Sequence, residues 1–186
     1  MDKLRIGIIG CGGIANGKHM PALSKLKDVE MVAFCDIVEE RAQKAAKEYG
    51  AEGARVFTDY RELIKMDLDV VHVLTPNKSH SPITVDALEA GKHVMCEKPM
   101  AINTEEARKM VEAAKRTGKK LTIGYQNRFR PDSMYLKKCI EAGDLGDIYY
   151  ARALAVRRRA VPTWGVFLDA EQQGGGPLID IGTHAL

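Results

Sequence analysis

The stretch Leu4-Arg5-Ile6-Gly7-Ile8-Ile9-Gly10-Cys11-Gly12-Gly13-Ile14-Ala15 decides how this chain folds. Its first six residues form an apolar run that stops at glycines, the pattern of a strand buried on both faces. A G-x-G-x-x-A turn then opens a helical stretch. Gly10 permits the tight turn, Gly12 lets a pyrophosphate approach the backbone, and Ala15 is small enough for the helix to pack on the strand. Gly13 and Ile14 lead into a helix whose first N–H groups and positive dipole end suit a phosphate. A glycine-rich turn can be only a turn, but the next strand, residues 31–35, ends at Asp36, about 20 residues past the loop, where a carboxylate accepts hydrogen bonds from a ribose diol. Asp36 would repel a 2′-phosphate and its neighbour Ile37 carries no counter-charge, so NAD is favoured over NADP. Arg41, further along the next helix, is the one nearby group that could meet such a phosphate.

Outward from this motif, strand and helix patterns alternate. Residues 38–49 carry Ala42, Ala45, Ala46 and Tyr49 on one helical stripe. Residues 70–74 form a continuous apolar strand, and residues 81–90 a helix stopped by Gly91. Strands at 93–96 and 121–124 flank a helix with Ala107, Met110, Val111 and Ala114 on one face. Strands without polar alternation need helices on both sides of a parallel sheet, so residues 1–123 are expected to be a doubly wound α/β, Rossmann-type domain. After residue 124 the pattern changes. Residues 132–142 fit a helix closed by Gly143 and Gly146, and residues 148–159 a long strand suited to an antiparallel sheet with one open face. About 60 residues are too few for an independent core, so residues 124–186 are expected to be the incomplete beginning of a second, α+β domain with an open antiparallel sheet.

Composition narrows the partners. The 186 residues are 45% hydrophobic and 28% charged with a formal net charge of +3, which argues against nucleic acid. The run Arg157-Arg158-Arg159 is too short to be a polyanion-binding arm. No apolar run approaches about 18 residues, and the N-terminus lacks an apolar leader core, so neither a membrane span nor a signal peptide is expected. Cys11, Cys35, Cys96 and Cys139 form no C-x-x-C pair and fit reduced thiols of a cytoplasmic protein.

Two further clusters carry chemistry. Cys96-Glu97-Lys98-Pro99 ends a strand of the parallel sheet, where ligands of this architecture bind. A lysine held there, beside a nicotinamide and away from water, is suited to proton exchange, whereas a bland reading makes it a surface lysine before a turn proline. In Gly174-Gly175-Gly176-Pro177-Leu178-Ile179-Asp180-Ile181-Gly182-Thr183-His184, Pro177 suits a first helical position. Asp180 and His184 are spaced to share a helix face, with Leu178, Ile181 and Ala185 on another. A carboxylate beside a histidine orients a base, but an ordinary solvated pair has the same spacing. No third ligand for a metal is visible, and none is expected.

GCGGIA, Thr75-Pro76-Asn77 with His80 three residues on, Glu97-Lys98-Pro99 and GGGPLIDIGTH together resemble the glucose–fructose oxidoreductase / inositol dehydrogenase / rhizopine-catabolism (Gfo/Idh/MocA) family over essentially the whole chain. The resemblance implies an N-terminal Rossmann domain and a C-terminal domain whose open sheet carries substrate and subunit contacts. A homo-oligomer is therefore expected. Carried over by motif, Lys98, Asp180 and His184 would be the catalytic residues, and Thr75, Pro76, Asn77, His80 and Glu97 would line the nicotinamide ribose and ring. It implies a dehydrogenase moving a hydride between a secondary hydroxyl of a sugar, sugar derivative or cyclic polyol and the nicotinamide. His184 would take the hydroxyl proton, Lys98 would stabilise the substrate oxygen, and Asp180 would orient the sugar or His184. Some relatives use transient oxidation to cleave glycosides, and a corepressor on this fold only senses the dinucleotide; these are the rival readings.

Other residues point less sharply. Trp164 suits stacking on a sugar face or packing, and Asn127 and Arg128 suit the cleft or interdomain hydrogen bonds. His72 and His93 read as core or cap residues, and His19 opens no motif. Cys96 reads as a packing residue.

Overall fold

A computed structural model describes residues 3–154, 162–163 and 165–184. Six parallel strands form one sheet in the order β3-β2-β1-β4-β5-β6: β1 Leu4–Ile9, β2 Val29–Cys35, β3 Arg55–Phe57, β4 Val70–Val73, β5 His93–Cys96 and β6 Leu121–Ile123. The alternation of side chains along β1 sends Ile6 and Ile8 to one face and Ile9 to the other. On the first face they meet Phe34, Met20 of α1 (Met20–Leu23) and Ala42 and Ala45 of α2 (Glu39–Tyr49). On the second, Ile9, Val71 and Val73 meet Ile83, Ala87 and Leu88 of α4 (Asn77–Glu89) and Met110 of α5 (Thr104–Thr117). Helices therefore cover both faces, as the unbroken apolar strands require. The strand order reverses between β1 and β4, so a crevice opens where the carboxyl ends of these two strands diverge. The glycine turn stands on one side of it and Thr75 on the other.

Several elements depart from the sequence expectation. Helix α4 begins at Asn77 rather than at residue 81, with Pro82 inside it. Pro82 is exposed, so the carbonyl it leaves without a helical donor can face water. β3, which no periodicity announced, extends the sheet beyond β2, and the single turn α3 (Tyr60–Leu63) follows it.

After β6 come a 3-10 turn, Gln126–Phe129, and α6, Pro131–Ala142, which buries none of its side chains. The expected strand at 148–159 is not found over residues 148–154, which hold no regular structure; residues 155–159, with Arg157, Arg158 and Arg159, lie outside the described residues. A strand is held by its ladder partners, and among the described residues no segment pairs with this one. Tyr149 and Leu154 are 98% and 70% exposed. Likewise no antiparallel sheet occurs among the described residues.

The chain then returns to the sheet through α7 (Ala170–Gln173) and α8 (Pro177–Asp180). The Asn77 amide donates to the Gln173 carbonyl oxygen at 3.1 Å and to its Oε1 at 2.8 Å. Lys78 pairs with Glu171. The single helix expected for Pro177 to His184 is split. The His184 N–H donates to Ile181 at 3.1 Å, which tightens residues 182–184 into a 3-10 turn. Of the apolar face expected there, Leu178 is 73% and Ile181 37% exposed, and Ala185 lies outside the described residues.

Candidate active site

Gly10 sits at φ +91°, and a Cβ on it would lie 2.7 Å from the Leu74 carbonyl oxygen, so only glycine lets β1 turn this close to the end of β4. Asp36 braces the turn: its Oδ2 accepts the Cys11 N–H and its Oδ1 the Val38 N–H, both at 2.9 Å. It is buried, while Ile37 stands fully out in solvent. Burial, followed by the charge of Asp36, pushes the Cys11 and Cys35 thiols up to about 12, so both are neutral. The Asn16 amide ties down the carbonyls of Cys11 and Gly12 at 2.7 and 2.8 Å. The N–H groups of Gly12, Gly13 and Ile14 begin the helix and have no preceding helical carbonyl to meet. Cβ atoms on Gly12 and Gly13 would meet nothing within 4 Å. Ala15, fully buried, seats the helix on the sheet. Across the crevice the Thr75 hydroxyl oxygen is buried with no partner among the described residues. Open glycine backbone, free N–H groups and an orphaned hydroxyl fit a dinucleotide phosphate and ribose.

Asp36→Asn should therefore weaken both fold and cofactor binding. One of two backbone N–H groups would face an amide donor, at a cost of about 1–3 kcal/mol. Thermal denaturation and an NADH fluorescence titration check this, and an unchanged Tm with unchanged affinity would remove the brace.

At the end of β5, Lys98 Nζ donates to Asp180 Oδ1 at 2.7 Å, joining the cofactor-side sheet to α8. This pairing differs from the sequence expectation of Asp180 orienting His184 or the sugar: a four-residue spacing aligns two groups only on a continuous helix, and α8 ends at Asp180. His184 lies close enough to feel Lys98, Glu97 and Asp180. Burial first, and then Lys98, lower its pKa, so the ring is neutral at pH 7. Its Nδ1 is buried without a partner among the described residues.

The turns around Lys98 are held from behind. Both ring nitrogens of His80, 1% exposed, lie 2.8 Å from a carbonyl, that of Thr75 on one side and of Pro99 on the other. His80 thus sits between the β4 turn and the β5 turn, donating to one carbonyl or the other according to its tautomer, and Pro76 caps α4. Glu97 Oε2 accepts the Lys98 N–H at 3.0 Å.

Sequence reasoning missed His19. Its Nε2 lies 2.7 Å from Glu97 Oε1, and its ring meets His72 edge-on at 5.7 Å. Burial raises the Glu97 pKa, but the hydrogen bond and charge of His19 and Lys98 outweigh it and hold the carboxyl below its usual range. Burial and His19 lower His72 to about 4. No spacing announces a contact between residues 78 apart.

Of the remaining candidates, Arg128 lies over the Tyr125 ring at 5.6 Å, with Asn127 half-buried in the same turn. Trp164 lies outside the described residues. All four cysteines are free thiols, three of them buried. Among the described residues no cluster could hold a metal and no helix is long and apolar enough to cross a membrane.

Comparison with known proteins agrees with this fold. A family described as an oxidoreductase family with an NAD-binding Rossmann fold matches residues 4–125, and the GFO/IDH/MocA C-terminal domain matches residues 133–186. D-glucoside 3-dehydrogenase of Escherichia coli is 46% identical over 186 residues, covering 100% of this chain and 52% of that protein. The WlbA dehydrogenase of Chromobacterium violaceum, solved with NADH and UDP-GlcNAcA, superposes with a TM-score of 0.75 at 34% identity, over 80% of this chain and 43% of that one. The 3-ketoreductase KijD10 of Actinomadura kijaniata, solved with NADP and TDP-benzene, gives 0.82 at 26% identity, over 98% and 55%. The chain thus spans about half the length of the relatives it matches.

Proposed function

We propose that this chain, which belongs to the Gfo/Idh/MocA family of oxidoreductases, is part of an NAD-dependent dehydrogenase that oxidises a secondary hydroxyl of a sugar, sugar derivative or cyclic polyol. The observation that carries the reading is the Lys98–Asp180 pair at 2.7 Å at the carboxyl end of the parallel sheet, with His184 near enough for Lys98, Glu97 and Asp180 to act on its ring. NAD, when bound, supplies the hydride acceptor. On this reading Gly10, Gly12, Gly13, Ile14 and Ala15 hold its phosphates, Asp36 and Ile37 its adenosine ribose edge, and Thr75, Pro76, Asn77 and Glu97 the nicotinamide side, with His80 bracing them. His184 takes the hydroxyl proton. Lys98, aimed by Asp180, donates to the substrate oxygen and stabilises its developing charge. Asn127, Arg128 and Trp164 remain candidates for the sugar.

NAD is preferred over NADP because Asp36 presents negative charge and Ile37 no cation; the relatives solved with NADH and with NADP span both choices. Residues 1–123 serve as the cofactor domain and 124–186 as the beginning of a substrate domain. That second part carries subunit contacts in a homo-oligomer, a role supported by its exposed Phe129, Tyr135, Tyr149 and Leu154. The free thiols agree with a cytoplasmic setting.

The test is NADH production by the full-length protein on a panel of glucosides, hexoses, inositols and nucleotide sugars. Glucosides come first, since the E. coli glucoside dehydrogenase matches over all of this chain. A protein that reduces NAD with none of these compounds sinks the proposal.

A further inference from the structure

We infer that His19 is a positioning residue for Lys98, acting through the Glu97 carboxylate. The inference rests on the dehydrogenase reading of Lys98 and adds to it a residue outside all of the motifs. His19 closes the π turn Ala15–His19 that continues the glycine loop, and its ring reaches across the sheet ends to Glu97. There Nε2 holds Oε1 at 2.7 Å while Oε2 accepts the Lys98 N–H at 3.0 Å. The carboxylate is thus a two-ended bridge between an imidazole and the backbone of the lysine that reaches Asp180.

The bridge is buried. Glu97 is 7% exposed, and a Cβ on Gly124, the residue after β6, would lie 3.1 Å from its Oε1, so a side chain there would crowd the carboxylate and only glycine leaves it room. A carboxylate so buried needs its donors, because burial alone raises its pKa. The groups that act on it are His19 from the π turn, Lys98 from its own segment, His80 from α4 and His184 from the C-terminal turn. His72, on β4, faces the His19 ring. Without the His19 donor, Oε1 is left unpaired and Glu97 takes up a proton at higher pH. Its acceptance of the Lys98 N–H then weakens, and the lysine turn loses one of its fixed points.

Two substitutions in the full-length protein separate positioning from bulk. His19→Gln keeps an N–H donor at the Nε2 position; His19→Asn places its donor short of Glu97. The Asn variant is expected to lose about 10²-fold in kcat, to keep KM for NAD, and to gain an acidic limb in which activity falls as pH drops through the raised Glu97 pKa. The Gln variant should recover most of the rate. Titration of the Glu97 carboxyl by ¹³C NMR reads the same shift without turnover. Equal kcat and pH profiles in parent and Asn variant, or equal losses in Asn and Gln variants, would overturn the inference. Failure of both variants to fold would do so too, making His19 a core residue. A parent protein with no dehydrogenase activity would instead overturn the dehydrogenase reading, and the NMR titration would still report whether His19 controls Glu97.

Discussion

Replacing Lys98 by methionine in the full-length protein is expected to lower turnover by about 10²–10⁴-fold while NAD affinity stays close to that of the parent. Methionine keeps the length and apolar stem of the side chain and removes the ammonium. What is lost is the donor to Asp180 and, on the proposed mechanism, to the substrate oxygen. The fold should survive, because both members of the pair are partly exposed, with side chains 18% and 25% accessible, and the abandoned Asp180 can be rehydrated. The loss should fall on kcat and kcat/KM together, the signature of an interaction made in the transition state. A variant that keeps more than about a tenth of the parent rate removes Lys98 from the chemistry.

The second large effect concerns the glycine turn, where two neighbouring substitutions should behave in opposite ways. Gly10→Ala forces a side chain onto φ +91° and drives its Cβ to 2.7 Å from the Leu74 carbonyl oxygen. That backbone cannot yield easily, since the Leu74 N–H is bonded to Ile9 at 2.8 Å. The conformation alone costs about 1–3 kcal/mol, and the collision adds to it, so Tm should fall and NADH binding should be lost with it. Gly12→Ala meets nothing within 4 Å and should fold normally. Its Cβ occupies space through which a pyrophosphate would approach, so binding should fall at unchanged Tm. Parallel thermal melts and NADH fluorescence titrations separate the two; a Gly12→Ala protein with full affinity would move the phosphates away from this turn.

Much of the first 123 residues was legible because their signals are local. The apolar run of β1, the glycines after it and the acid at the end of β2 mark a strand, a turn and a second strand within one βαβ unit, although nothing announced that the acid also braces the turn. Legibility ended where partners are distant. The pattern starts this helix at residue 81, yet α4 begins at Asn77 and carries Pro82 in its interior, where its exposed position lets water serve the freed carbonyl. The alternation over residues 148–154 states only which faces a strand would have; a strand also needs a ladder. The spacing of Asp180 and His184 presumed one helix where the backbone tightens into a 3-10 turn, and Asp180 goes to Lys98 instead. His19 was silent for the same reason: only the juxtaposition of the β1, β4 and β5 ends brings it to Glu97.

The Lys98–Asp180 contact spans 82 residues of sequence and the Asn77–Gln173 contact 96. In a growing or refolding chain, units whose neighbours are close in sequence form before contacts that close so long a loop. The glycine turn and Asp36, whose contact at Cys11 spans 25 residues, are expected to form while Asp180 and His184 are still unplaced. On the dehydrogenase reading, the order of folding would then separate in time the turn that loads the cofactor from the pair that acts on the substrate.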